Sequence, residues 1–170
     1  MPVVTLFDRR DAFSVGGYRQ DLMPNAEGIR YEDFSEDVDL WCRMADFGAK
    51  GRYFITLPVA LYRYRKQTVS LSTRNIRFMQ LKMRWIKDCL LRRRANEAER
   101  SLADFIQSRS WVERVNDYRE DSGAGFYKRA GFAYLNRNYF GLVVLLALAA
   151  VCSPKLIRQK LRTQTTRIAA

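Results

Sequence analysis

Histidine is absent from this 170-residue chain. That removes the commonest general base near neutral pH and the commonest metal-binding side chain. Acid–base chemistry would have to fall to carboxylates, arginine, lysine, tyrosine or cysteine. Cysteine is scarce as well. Cys42, Cys89 and Cys152 are far apart, form no Cys-x-x-Cys pair and each sits in an apolar stretch. This argues against a zinc site or a disulfide framework, and for buried thiols in a reducing compartment. The longest apolar run, Tyr139 to Cys152, has 14 residues, fewer than the about 20 that cross a bilayer. It suits a buried or interfacial helix. The N-terminus has no basic region followed by an apolar core, so no signal peptide is read there. It opens on a strand-like run, Pro2 to Phe7, with no cap or turn before it. A fold entered inside a strand points to a segment ahead of it.

What is present reads as a folded chain. The sequence is 48% hydrophobic and 28% charged, and its length suits one domain with a real core. The net charge of +12 is uneven. Residues 1–75 hold 11 basic and 10 acidic side chains, whereas residues 76–170 hold 19 and 8. The basic excess therefore belongs to the second half, whose target would be anionic: lipid headgroups, nucleic acid or phosphate.

Along the chain, Asp8 to Asp11 leads into a brief helical stretch that Gly16-Gly17 stops, since paired glycines allow positive φ and close backbone approach. Residues 18–32 read as loop, with turn signals at Pro24-Asn25 and Glu27-Gly28. Four carboxylates follow within seven residues: Asp33, Glu36, Asp37 and Asp39. Ser35 is the expected N-cap, and Glu36 and Asp37 fall in the first turn, where the helix dipole favours negative charge. Val38, Trp41, Cys42 and Ala45 recur at helical spacing, which predicts a helix over about 36–48 ending at Gly48. Residues 52–57 and 59–64 are β-rich runs split by Pro58, the second placing Tyr62 and Tyr64 on one face and Arg63 and Arg65 on the other. From about residue 75 the pattern is helical and basic through about residue 118. Ser122-Gly123-Ala124-Gly125 reads as a break, and a further helical segment leads into the apolar run. Ser153-Pro154 then reads as N-cap and first residue of a last basic helix.

Val15-Gly16-Gly17-Tyr18, then Ser35-Glu36-Asp37-Val38-Asp39-Leu40-Trp41-Cys42-Arg43, then Tyr62-Arg63-Tyr64-Arg65 before Ser70-Leu71-Ser72 together resemble the second half of a family 2 glycosyltransferase domain of the GT-A fold. The resemblance covers about residues 3–73. It implies an α/β fold, an incomplete GT-A-like acceptor half with short strands over residues 1–74; the residue pattern beyond it reads as amphipathic basic helices over 75–121 and a hydrophobic helix with a basic amphipathic tail at the membrane interface over 122–170. The resemblance implies transfer of a sugar from a nucleotide sugar to a hydroxyl acceptor with inversion, the acceptor being lipid-linked or a polysaccharide of the cell surface. The residue that resembles the family's general base is Asp37, with Glu36 orienting the acceptor or supporting the helix start. Gly16 and Gly17 would let backbone approach substrate. Asp39 and Trp41 would lie at the substrate, and Arg63 and Arg65 near the diphosphate, whose oxygens suit guanidinium.

The half that would carry the nucleotide strands and the Asp-x-Asp holding Mg²⁺ or Mn²⁺ is not in this sequence. Asp37 and Asp39 do not replace it, because positions i and i+2 point about 200° apart on a helix. A divalent cation is thus expected for a full-length enzyme and none for this chain alone, which is expected to be inactive by itself. The tail resembles the membrane-associated region of such enzymes, which implies a cytoplasmic protein peripheral on the inner face of the plasma membrane. The rival reading is a non-catalytic basic helical module bound to an anionic membrane surface, with the acidic stretch only a cap. Nucleic acid is not an expected partner, since no base-stacking platform or recognition-helix motif is present.

Overall fold

The computed structural model describes residues 5–19, 24–25, 28–29, 35–46, 54–55, 57, 59 and 75–168. Among these the chain is mainly helical: α1 (Arg9–Ser14), α2 (Glu36–Ala45), α3 (Ile76–Arg94), α4 (Leu102–Ser108), α5 (Trp111–Leu135), α6 (Tyr139–Cys152) and α7 (Pro154–Ile168). The one strand pairing among the described residues joins β1 (Pro24–Asn25) to β2 (Gly28–Ile29), antiparallel, with Pro24 opposite Ile29 and Asn25 opposite Gly28.

This corrects the α/β expectation of a GT-A-like acceptor half with short strands. Residues 5–7, the described part of the strand expected over 2–7, are irregular, and 54, 55, 57 and 59 lie in no ladder. Phe54, Ile55, Leu57 and Val59 are exposed. β-Rich sequence becomes strand only where a neighbouring strand and a packed face receive it, and neither covers these side chains. Residues 60–74, which include Arg63, Arg65 and the serine-containing loop, lie outside the described residues, as does Gly48.

The chain divides into two compact units, residues 1–66 with 78–108, and residues 67–77 with 109–170. In the first, Asp8 caps α1 by accepting from the Arg10 amide at 2.7 Å. The helix then ends in a Schellman turn: the Gly16 amide donates to Phe13 and the Gly17 amide to Ala12, both at 2.9 Å, with φ of 89° and 64° at the two glycines. The glycine stop expected from the sequence is therefore there. α2 is apolar on two faces. Leu40 and Met44 pack with Ala12, Phe7 and Val15, while Val38 and Cys42 pack against the larger core of Trp85, Ile86, Cys89, Leu102 and Phe105. The Trp85 indole N–H donates to the Arg100 carbonyl at 2.9 Å, which ties α3 to the segment entering α4.

In the second unit, α5 opens on a capping box in which the Ser110 hydroxyl accepts from the Glu113 amide and the Glu113 carboxylate accepts from the Ser110 amide. α5 runs unbroken through Ser122-Gly123-Ala124-Gly125, where the sequence suggested a break. The glycine at 123 serves contact instead of a turn: a Cβ there would sit 2.6 Å from Ser153 Cβ and 3.1 Å from the Ser153 amide nitrogen. α5 closes with Arg137 at φ 57°, and Asn138 caps α6 by accepting from the Gly141 amide at 2.8 Å. With that short turn at one end and Gly123 against the Cys152–Ser153 joint at the other, α5 and α6 form an antiparallel hairpin. Pro154 opens α7 as expected, at a bend of 113° from α6. Elsewhere in this unit the Arg77 guanidinium lies over the Tyr118 ring, 4.2 Å from its centre.

Candidate functional site

The acidic stretch begins α2. Ser35 occupies the N-cap with φ 65°, and its side chain makes no cap hydrogen bond. Its carbonyl accepts from the Asp39 amide at 3.1 Å. Glu36, Asp37 and Asp39 all lie in the first turn, so the helix end offsets part of their mutual repulsion. Asp37 and Trp41, four residues apart, share a face of α2. Asp37 Oδ1 accepts from the Val38 amide at 2.8 Å. The Trp41 indole N–H is buried without a hydrogen-bond partner, a polar group that costs stability as it stands.

Asp39 faces elsewhere. It is 1% exposed and lies along the seam between the two apolar faces of α2. Arg19 Nη2 and Nε donate to its two oxygens at 2.5 and 2.9 Å. Arg43, one turn on, donates from Nε at 3.0 Å and is itself buried. Burial alone would push the Asp39 carboxyl up, but the hydrogen bonds and charge of Arg19, with those of Arg43, outweigh it and hold the carboxyl below its usual range. The rest of the Arg43 fork binds backbone: Nη1 donates to the Val15 carbonyl and Nη2 to the Gly17 carbonyl. The Schellman turn at Gly16-Gly17 is what turns those carbonyls toward α2.

Arg19 continues the network. Its Nη1 donates to Glu99 at 2.5 Å, and Glu99 also accepts from Arg93 at 2.5 Å. Arg93 reaches Asp46, at the end of α2, at 2.7 Å. For Glu99, burial opposes ionisation and the two arginines more than offset it, so the carboxyl again lies below its ordinary value. Arg19 also lies over the Trp85 ring at 5.2 Å, and Lys82, itself 1% exposed, at 4.6 Å.

Of the residues singled out in the sequence, the structure brings Gly16, Gly17 and Asp39 together, places Glu36 and Asp37 at the start of the same helix, and puts Trp41 one turn beyond Asp37. Arg63 and Arg65 lie outside the described residues. Sequence reasoning missed Arg19, Arg43, Arg93 and Glu99 as partners. The i, i+4 spacing of Asp39 and Arg43 was a readable signal. Glu99, 80 residues from Arg19, offered none. Among the described residues no group of three or more histidine, cysteine or carboxylate side chains is arranged to hold a metal. Asp39 is committed to the guanidiniums of Arg19 and Arg43 and is not placed to ligate a cation. Comparison with protein-family models, curated proteins and solved structures found no significant match.

Proposed function

We propose that this chain carries the acceptor side of a glycosyltransferase, which moves a sugar from a nucleotide sugar to a hydroxyl with inversion. The observation that supports this most is the clamp between two separated motifs. Arg43, from Glu-Asp-x-Asp-Leu-Trp-Cys-Arg, holds the carbonyls of Val15 and Gly17, from Val-Gly-Gly-Tyr, and Asp39 holds the side chain of Arg19, the residue just after that motif. Two segments that sequence resemblance pairs as parts of one site are thus joined by buried charge. The clamp takes up Asp39 and leaves the chemistry to the carboxylates ahead of it. Asp37 acts as the base that receives the acceptor proton, and Glu36 supports the acceptor. A carboxylate fixed at a helix start suits the task, because the base has to hold its place beside the incoming hydroxyl.

The donor and its cation fall to residues outside this sequence, and the reading carries no strand-built architecture with it. The test is sugar transfer by the chain joined to a donor-binding half, comparing Asp37→Asn with the unaltered protein. A fall of about 10² to 10⁴-fold with donor binding retained is expected for loss of a general base. Undiminished turnover would overturn the assignment.

A further inference from the structure

The outer face of α6 has a composition that water does not favour and that the described residues of the second unit do not cover. Leu142, Leu145, Ala149 and Cys152 recur along the side that meets α5, and Ala149 is fully buried there. The remaining arc, about 200° of the helix at 3.6 residues per turn, carries Tyr139, Phe140, Val143, Val144, Leu148 and Val151. All six are exposed, Phe140 at 83%, Val151 at 78% and Val143 at 65%. No charged residue interrupts Tyr139–Cys152. An ordinary surface helix turns a polar face outward, and this one has none to turn.

Both ends of the helix are basic. Arg137 sits in the turn before it, and exposed Lys155 and Arg158 follow the bend after it. Fourteen residues span about 21 Å, short of the roughly 30 Å hydrocarbon core, and among the described residues no single helix is long and apolar enough to cross a membrane. A short apolar helix with positive charge at both ends fits one leaflet, lying in its plane with both ends at the headgroups. The wedge of Gly123 against Ser153 fixes where the chain bends, and so where the basic α7 leaves the apolar helix. A second copy of this chain suits the arc poorly, because antiparallel stacking of two α6 helices would set Arg137 of each against Lys155 and Arg158 of the other.

We infer that the exposed arc of α6 inserts in-plane into the outer few ångströms of an anionic lipid leaflet, with Arg137, Lys155 and Arg158 on the headgroups. This stands apart from the sugar-transfer reading, and neither depends on the other. The full chain is sedimented with vesicles of phosphatidylcholine containing phosphatidylglycerol, at low and high salt. Binding is expected, with a component that persists at high salt because apolar burial is not screened. Val143→Asp with Val151→Asp is expected to reduce partitioning about tenfold or more while helical content and thermal midpoint stay the same, since both sites are exposed. Lys155→Glu with Arg158→Glu should weaken binding at low salt and leave the high-salt component. Absence of vesicle binding, or equal binding by the Val143→Asp, Val151→Asp variant, would overturn the inference. So would a stable dimer in lipid-free solution that the same variant dissociates.

Discussion

Asp39 has two guanidiniums within hydrogen-bond distance and almost no contact with water, so Asp39→Asn would leave Arg19 and Arg43 facing a neutral amide. Removing one partner of a buried pair costs about 3–5 kcal/mol. Arg19 keeps 30% of its side chain exposed, which puts the expected loss near the lower end, about 3 kcal/mol. Urea titration of the variant checks this. The pair also sets an acid limit. The Asp39 and Glu99 carboxyls are lowered in the folded state, so their contribution is complete above the unfolded values of about 4 and is lost as pH falls through the folded ones. These groups predict flat stability from about pH 5 to 8 and a steep fall below about pH 4, with a shallower acid slope in Asp39→Asn. Melting curves at stepped pH read both. Cys89 is fully buried, and its thiol is pushed up to about 11 by that burial. It should react with thiol reagents only as fast as the first unit opens.

Two glycines on one helix separate the meanings that glycine has in a sequence. At Gly125 an added Cβ meets nothing within 4 Å, whereas at Gly123 it meets Ser153 at 2.6 Å. Gly125→Ala should stabilise by about 1 kcal/mol through helix propensity. Gly123→Ala gains the same propensity and loses more to overpacking at the joint of α6 and α7, for a net destabilisation of about 1 kcal/mol. Opposite shifts in thermal midpoint are expected, and a stabilised Gly123→Ala would rule out a close approach of Ser153 to that position. In the sequence the two glycines looked alike, and Ser122-Gly123-Ala124-Gly125 read as a break. Glycine marks either a turn or a close contact, and only the partner helix, 30 residues away, decides which. Helix ends with local causes were legible: the Gly16-Gly17 stop, the start of α2 after Ser35, and the start of α7 at Pro154. Ser110 with Glu113 is a capping box written in four consecutive residues, and Ser110→Ala should cost about 1 kcal/mol.

Across the molecule, the apolar periodicity of α2 and α3 and the unbroken apolar run of α6 made these helices readable, and the basic excess located the half of the chain with an uncovered apolar helix. The strands were not readable. Aromatic and β-branched runs such as Tyr53 to Leu57 state a preference that is met only by a sheet beside them, and the described part of that run is exposed and unpaired. For the site, the sequence located the acidic helix start and the paired glycines but did not separate the tasks of neighbouring carboxylates. Asp37 and Asp39 differ by two residues and by half a helical turn. That difference takes Asp39 into a buried arginine clamp and leaves Asp37 at the start of the helix. The most direct measurement compares Asp37→Asn with Asp39→Asn in the chain joined to a donor-binding half, reading thermal midpoint and sugar-transfer rate together. Asp37→Asn is expected to keep its midpoint and lose about 10²-fold or more in rate, while Asp39→Asn melts far earlier. Full transfer by Asp37→Asn, or an unshifted midpoint for Asp39→Asn, would contradict this division of tasks.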